Sequence, residues 1–430
     1  MKEQFPPLAP FLTSASTAIA ATGKSCEILT EYGFTEIRES DGGLKLKAGG
    51  KYWIRRGGSS FAAFILPKKF SLTEGALRIM LGHTDSPGLK VKVNAVDWEH
   101  EDQLPHKVYG SLTTTRVDRL PVEVYGSPIL STWLDRPLNL YVHFADFNDK
   151  EGRVEECFSI SHPNAVIPNP AIHLADLNNG FKYNPQFHLA ALVPHRCIKG
   201  INEKRRGHGA VEMWLTDAQP PTDLGDGLIN APRLDNLASC YAGLKAICTA
   251  DPKKLKQIPV LACFDLEECG DNFNSARGTL LDTVFLALRR FYQLDDWDFN
   301  AMCARSWMVS GDAAHAHHPN FPDLHDHAYA PIMGRGIVLK SHANQHYATT
   351  PAGEAFFEHH CRKAGLTSQR YVVRSDMRCG STIGPACATR TGIPTIDVGI
   401  PLLAMHSIRE TAHLNDIIDL VEFFSAVIHG

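Results

Sequence analysis

The chain has 430 residues, 44% of them hydrophobic and 21% charged, which is the balance of a globular protein long enough for two domains or one large domain carrying an insertion. A formal net charge of −4 lacks the basic surplus expected of a partner for nucleic acid or an anionic membrane, and no apolar run approaches the roughly 18 residues of a spanning helix. The 11 cysteines are scattered and form no CxxC pair, and several sit inside apolar runs, so they read as reduced, buried thiols of a cytoplasmic protein.

Met1-Lys2 and the small residues 17–21 resemble pieces of a signal peptide, but Glu3 and the prolines at 6, 7 and 10 break any apolar core. The segment reads instead as a Ser/Thr-capped helix with Ile19, Cys26, Ile28, Leu29 and Tyr32 toward the interior. Short alternating segments follow at 35–38, 51–55 and 60–66, then a strand-length apolar run at 76–81. That run ends in Gly82-His83-Thr84-Asp85-Ser86-Pro87-Gly88, where proline and glycine force a turn, so His83 and Asp85 fall beyond a strand's carboxyl end.

From about residue 89 to 225 the texture changes. Val91 and Val93, the 122–125 stretch and the 138–143 stretch alternate with period two between turn residues, which marks a β-rich unit inserted into an α/β domain. The expected division is 1–88 and 229–430 for the first domain and 89–228 for the insertion, with Gln219-Pro220-Pro221-Thr222 as its linker-like exit.

Helical spacing returns at Leu234-Asp235-Asn236, with Leu237, Cys240, Tyr241, Leu244, Ile247 and Cys248 on one face. The apolar run Ile258–Phe264 then leads into Asp265-Leu266-Glu267-Glu268-Cys269-Gly270. After a helix carrying Leu281, Val284, Phe285 and Leu288, the run 302–309 ends at Ser310-Gly311-Asp312 and enters a loop with histidines at 315, 317, 318, 325 and 327. Strands are expected at 337–339 (leading into Lys340), 371–374 and 395–400, with a helix at 353–364. The closing helix should start near Asn415 and turn Ile417, Ile418, Val421, Phe424 and Ile428 inward. Helices alternating with short apolar strands on both sides of the β-rich unit indicate a mostly parallel α/β sheet interrupted by an insertion.

In such sheets, sites form beyond the carboxyl ends of the strands. Those ends carry His83 and Asp85, Glu267 and Glu268, Asp312 and His406, and Asp235 joins them from a helix start. Each has a plainer role open to it: turn former for Asp85 and Asp312, helix cap for Asp235, satisfied core histidine for His406. A second Glu-Glu-Cys, at Glu155-Glu156-Cys157, follows the polar residues 150–153 and no apolar run, so the pair alone decides nothing. Taken together, imidazoles and carboxylates without sulfur suit Zn²⁺ or a similar ion, and their number suits two metals about 3.5–4 Å apart.

The motifs Gly-His-Thr-Asp-Ser-Pro-Gly-Leu-Lys-Val-Lys (82–92), Ser-Thr-Trp-Leu-Asp-Arg (131–136), Ala-Ile-His-Leu (171–174) and Ala-Pro-Arg-Leu-Asp-Asn (231–236) resemble the aspartyl aminopeptidase family of co-catalytic zinc aminopeptidases. So do Glu267-Glu268, Ser-Gly-Asp-Ala-Ala-His-Ala-His-His-Pro-Asn (310–320), Asn-Gln-His-Tyr-Ala (344–348) and Ala-Met-His-Ser-Ile-Arg-Glu (404–410), all in the family's order. The resemblance implies an α/β catalytic domain with an inserted dimerisation domain, dimers assembled into a dodecamer, and release of N-terminal Asp or Glu from peptides. It implies two Zn²⁺ per subunit, with Mn²⁺ or Co²⁺ as substitutes: His83 and Asp312 on one, Glu268 and His406 on the other, Asp235 bridging. Glu267 would be the general base and Asp85 would orient His83. His173 would reach the partner subunit's site, and His315 and Lys340 would line the pocket for the acidic side chain.

Three departures stand out. The family's usual Asp-Asn-Glu-Glu-Val-Gly-Ser is here Asp265-Leu266-Glu267-Glu268-Cys269-Gly270-Asp271, a glycine run is broken by Ser127-Pro128, and the 177–229 segment is short. Two rival functions remain at this level: a same-fold aminopeptidase or deacylase with another side-chain preference, and a non-catalytic assembly protein that keeps the fold.

Overall fold

The computed structural model describes residues 5–92, 117–149, 153–160, 164–177, 180–205 and 210–430. The chain divides into two compact units, one made of Met1–Ser86, Pro221–Met405 and Glu410–Gly430, the other of Pro87–Pro220 and His406–Arg409.

The first unit is built on a nine-stranded sheet. Its centre is four parallel neighbours in the order Ile258–Phe264, Leu77–His83, Trp307–Gly311 and Thr395–Gly399. On one side the sheet continues through Ser60–Ile65 and Lys51–Arg56, both antiparallel additions, to the short Thr35–Glu36. On the other it continues through Ile337–Lys340, antiparallel to its neighbour, to Ser368–Tyr371. The central strands are apolar on both faces because both are covered. Met80, Leu261 and Cys263 pack with the helices Leu234–Thr249 and Leu414–His429, while Leu77, Ile79, Leu81, Val260 and Ala262 pack with Leu280–Tyr292 and Ile383–Thr391. Period-two alternation thus sends neighbouring residues into two separate cores. A second, five-stranded sheet in this unit runs Thr222–Gly225, Leu228–Ala231, Glu410–His413, Pro401–Leu403 and Ala314–His315.

Local signals account for most helix boundaries. Thr17 caps Ala18–Glu31 by accepting from the Ala20 N–H, and Thr350 does the same for Pro351–Ala364 through Gly353, with a proline in the first turn and Gly365 closing the helix in the left-handed region. Every apolar residue expected inside Leu234–Thr249 is buried. Three expectations need correction. The 302–309 run is split, because Met302 and Cys303 end the helix Asp296–Ala304 and the strand starts only at Trp307, after Arg305-Ser306. The strand placed at 371–374 is Ser368–Tyr371, and Val372 and Val373 line a cavity beyond it. Ile418 is 53% exposed, because the buried stripe of the last helix follows Ile417, Leu420, Val421, Phe424 and Ile428, one residue's rotation away.

The second unit is β-rich. Its five-stranded antiparallel sheet is ordered Val122–Tyr125, Gly88–Val91, Ala210–Asp217, Leu138–Asn148 and Arg153–Ile160, and Val117–Leu120 pairs separately with Ala191–Pro194. Trp133, Leu140, Val142, Phe144, Met213 and Leu215 form its core. It also holds the helix His195–Arg205, which the sequence pattern did not reveal. Val93, expected on a strand, lies outside the described residues.

Candidate active site

Six of the expected residues, His83, Asp85, Asp235, Glu267, Glu268 and Asp312, meet where the central strands end. His83 is the last residue of its strand and is buried. Its Nε2 lies 3.6 Å from Asp235 Oδ1, 3.9 Å from Asp312 Oδ1 and 3.9 Å from Glu267 Oε2. On the other side of the ring, Nδ1 is 3.1 Å from the Asp85 carbonyl and 3.4 Å from Asp85 Oδ1. Both of those atoms are acceptors, so Nδ1 carries a proton; Nε2 faces carboxylates, where a bound cation would take its lone pair in place of a second proton.

Asp85 also fixes the glutamate turn. Its Oδ1 accepts the Glu267 N–H at 3.2 Å and its Oδ2 the Glu268 N–H at 3.0 Å. The chain reaches that grip through Leu266, whose φ of +67° lies in the left-handed region, where a leucine is strained and an asparagine or glycine is comfortable. The departure from the family's asparagine at this position therefore falls where backbone geometry makes it costly.

Asp312 follows the Trp307–Gly311 strand. Asn236 Nδ2 donates to its Oδ1 at 3.1 Å and to the Gly311 carbonyl at 2.9 Å, and Lys340 Nζ lies 3.3 Å from its Oδ2. Close packing holds its backbone, since a Cβ at Gly399 would come within 1.8 Å of the Asp312 carbonyl oxygen. Asp235 is joined to Asn236 by a cis peptide bond and donates its N–H to Glu410 Oε2 at 2.9 Å. Asn236 and Glu410 had no assigned role in the sequence reading. Their signal was position alone, next to Asp235 and at the end of the motif containing His406.

Lys340 is 2% exposed. Its ammonium donates to the Ala313 carbonyl at 3.0 Å, pairs with Asp312 and sits 4.8 Å from the centre of the Tyr347 ring. Its charge is therefore directed at Asp312. His315 is exposed, on the short strand Ala314–His315, with its ring 5.8 Å from that of Tyr371.

Two expected residues belong to the second unit. His173 is exposed in a turn. His406 has a φ of +68°, its carbonyl accepts the Ile129 N–H at 2.9 Å, and its Nδ1 lies 3.2 Å from the Ser127 carbonyl. A carbonyl can only accept, so this contact makes Nδ1 the protonated nitrogen and Nε2 the lone-pair donor.

The cluster has more negative than positive charge. Burial first, and then the charges of Asp312, Glu268 and Asp85, push the Glu267 carboxyl up to about 8 against the opposing pull of His83. Burial, together with Asp235, likewise pushes Asp312 up to about 7 despite Lys340. Burial would lower His83, but Asp235, Asp85 and Glu267 hold its imidazole well above the ordinary value. A divalent cation relieves this imbalance, and the donors suit zinc: ligand atoms of His83, Asp235 and Asp312 lie within 4.8 Å of one another, as do those of His83, Glu267 and Glu268.

Comparison with known proteins agrees with this chemistry. The pattern of the aminopeptidase I zinc metalloprotease (M18) family matches residues 11–210 and 204–427. A probable M18 family aminopeptidase 2 of Stutzerimonas stutzeri (strain A1501) is 36% identical over 97% of this chain and 96% of its own length, and one of Pseudomonas entomophila (strain L48) is 37% identical over the same shares. Among solved structures, Ape4 in its complex with Nbr1 superposes with a TM-score of 0.87 at 28% identity, over 98% of this chain and 84% of that one. The dodecamer of mApe1 from S. cerevisiae shares the fold, with a TM-score of 0.79 at 23% identity over 97% of this chain and 94% of that one. With a buried imidazole–carboxylate cluster at its strand ends and these relatives along nearly its whole length, the chain belongs to the aminopeptidase I zinc metalloprotease (M18) family and is a zinc-dependent aminopeptidase.

Proposed function

We propose that the enzyme releases N-terminal Asp or Glu from peptides with two zinc ions per subunit. In this reading His83 and Asp312 would hold one zinc and Glu268 and His406 the other, with Asp235 shared between them. The observation that carries it is the placement of His83 Nε2 between Asp235 and Asp312, with Glu267 Oε2 3.9 Å away. Bound zinc supplies Lewis acidity, polarising the scissile carbonyl and making water easier to deprotonate.

Glu267 takes a proton from the attacking water and returns it to the departing amine. Burial and the carboxylates around it raise the basicity of Glu267, the direction that suits a group taking and returning a proton. Asp85 keeps the base in register, because it grips the backbone N–H of Glu267 while holding His83. Lys340 fixes Asp312. With a cation bound beside that aspartate, Lys340 and His315 would leave a positive potential that favours an acidic side chain.

The β-rich insertion, taken as 89–228, would form the dimer contact and carry His173 to the partner, in an assembly like the dodecamer of mApe1 and in the cytoplasm. A second reading, the same hydrolysis without acidic preference, is favoured by one observation: the Lys340 ammonium is already engaged by Asp312 and Ala313. Rates on Asp-, Glu-, Leu- and Lys-anilides decide between them. They should be measured with and without chelator, on protein whose mass in solution is known. Acidic preference lost on chelation and restored by zinc is expected; equal rates on Leu-anilide would remove the specificity.

A further inference from the structure

One wall of the first unit is more basic than the reaction so far described requires. A cavity of about 250 Å³ opens beside His315 and is lined also by His318, His325, Arg374, Arg378 and Asp326. Asp326 is the one acidic side chain on that wall, and the Ala328 N–H already occupies its Oδ1 at 3.0 Å. Arg374 is committed, with its fork on Asp376 at 2.9 and 2.7 Å and another N–H on the Asp323 carbonyl. Arg378 differs: it is exposed, and among the described residues no hydrogen bond or ion pair engages it.

The two loop histidines are set as donors. The Asn320 N–H points at His318 Nδ1 (3.2 Å) and the His318 N–H at His325 Nε2 (3.1 Å), so those nitrogens accept. In the neutral ring the other nitrogen then carries the hydrogen, which leaves His318 with Nε2–H and His325 with Nδ1–H. His325 stays neutral at ordinary pH, since burial and the neighbouring His317, His318 and His327 all lower its basicity. Two fixed N–H donors and one uncommitted guanidinium fork make a lining that matches an acceptor-only, planar anion. Two tyrosine rings connect the wall to the reaction centre. Lys340, beside Asp312, covers Tyr347; Tyr347 packs on Tyr371 with ring centres 6.4 Å apart; and Tyr371 packs on His315.

We propose that this cavity is a carboxylate subsite for the peptide, with Arg378 making the charged contact and His318 and His325 donating hydrogen bonds. This rests on the reading of the enzyme as selective for acidic peptides, and it replaces Lys340 with Arg378 as the group that touches the substrate's carboxylate. The carboxylate is the side chain of the first residue or one further along the peptide, and the test separates these sources.

Wild type, Arg378→Ala and Arg378→Lys are assayed on Asp- and Asn-anilide, and on the dipeptides Ala-Asp and Ala-Asn with their carboxyl ends amidated. Because Arg378 is exposed, both variants should keep the wild-type melting temperature and zinc content. The alanine variant should raise KM for the carboxylate-bearing member of one pair on the order of tenfold and leave its amide twin unchanged. Lysine should restore part of the difference. The pair that responds identifies the source. If wild type prefers neither acid over its amide, both the acidic reading and the subsite fall. If wild type discriminates and Arg378→Ala discriminates equally well, the acidic reading stands and the subsite falls. An equal rise of KM on acid and amide also overturns the subsite, because it signals a general loss of shape.

Discussion

The tripeptide Glu-Glu-Cys occurs twice in this chain and does two different things. At 155–157 it lies inside the strand Arg153–Ile160, where Glu155, Glu156 and Cys157 pair in register with Asp146, Ala145 and Phe144 of Leu138–Asn148. Its backbone is part of an antiparallel ladder. At 267–269 it lies beyond the end of Ile258–Phe264, and both glutamate N–H groups are taken by a side chain from another strand end, Asp85. Identical residues acquire chemistry only where the backbone leaves the sheet and several strands end together.

The largest test of that contrast is to remove the carboxylate from each copy. Glu267→Gln should lower turnover at least about 10²-fold while zinc content, measured by mass spectrometry, stays at the wild-type value. The same change at Glu156 should keep turnover within about twofold. Next comes the grip itself. Asp85→Asn replaces one acceptor oxygen by a donor against two backbone N–H groups, so zinc affinity and activity should both fall about 10–100-fold in competition titrations and rate assays.

The charge crowding predicts a pH dependence of zinc loading. With Asp312 pushed up to about 7 and Glu267 to about 8, the metal-free site holds protons that zinc must displace. Apparent affinity should therefore rise as pH increases through 7 to 8. Calorimetry in buffers of different ionisation enthalpy should detect proton release on binding, most at the acidic end. The smallest effect concerns the turn: Leu266→Asn relieves a left-handed leucine and should stabilise the fold by about 0.5–1 kcal/mol in thermal or urea melts.

Much of the scaffold was legible because burial on both faces makes central strands continuously apolar. The runs ending at His83 and Phe264 needed only their turn residues to show where they stop. What lay beyond those ends could be read as a set of ligand types. Its supporting contacts could not. That Asn236 holds Asp312, that Glu410 holds the Asp235 N–H, and that Lys340 is spent on Asp312 are all contacts across more than 25 positions of sequence, set by the stacking of strands and not by local spacing. The boundary at Trp307 was missed for a related reason. An apolar run can serve a helix's inner face and then a strand, and only the pair Arg305-Ser306 marks the change.

Asp85 ties together three parts of the site that would otherwise be independent. One carboxylate carries the backbone of the proposed base, the backbone of a proposed ligand and one side of the His83 ring. The base cannot be shifted toward a new substrate without dragging the metal site with it, so this corner of the enzyme has few separable degrees of freedom. Change in substrate preference has to enter elsewhere. The loop carrying His318 and His325 and the turn carrying Arg378 line a separate cavity beside His315, and that is where such change has room to enter.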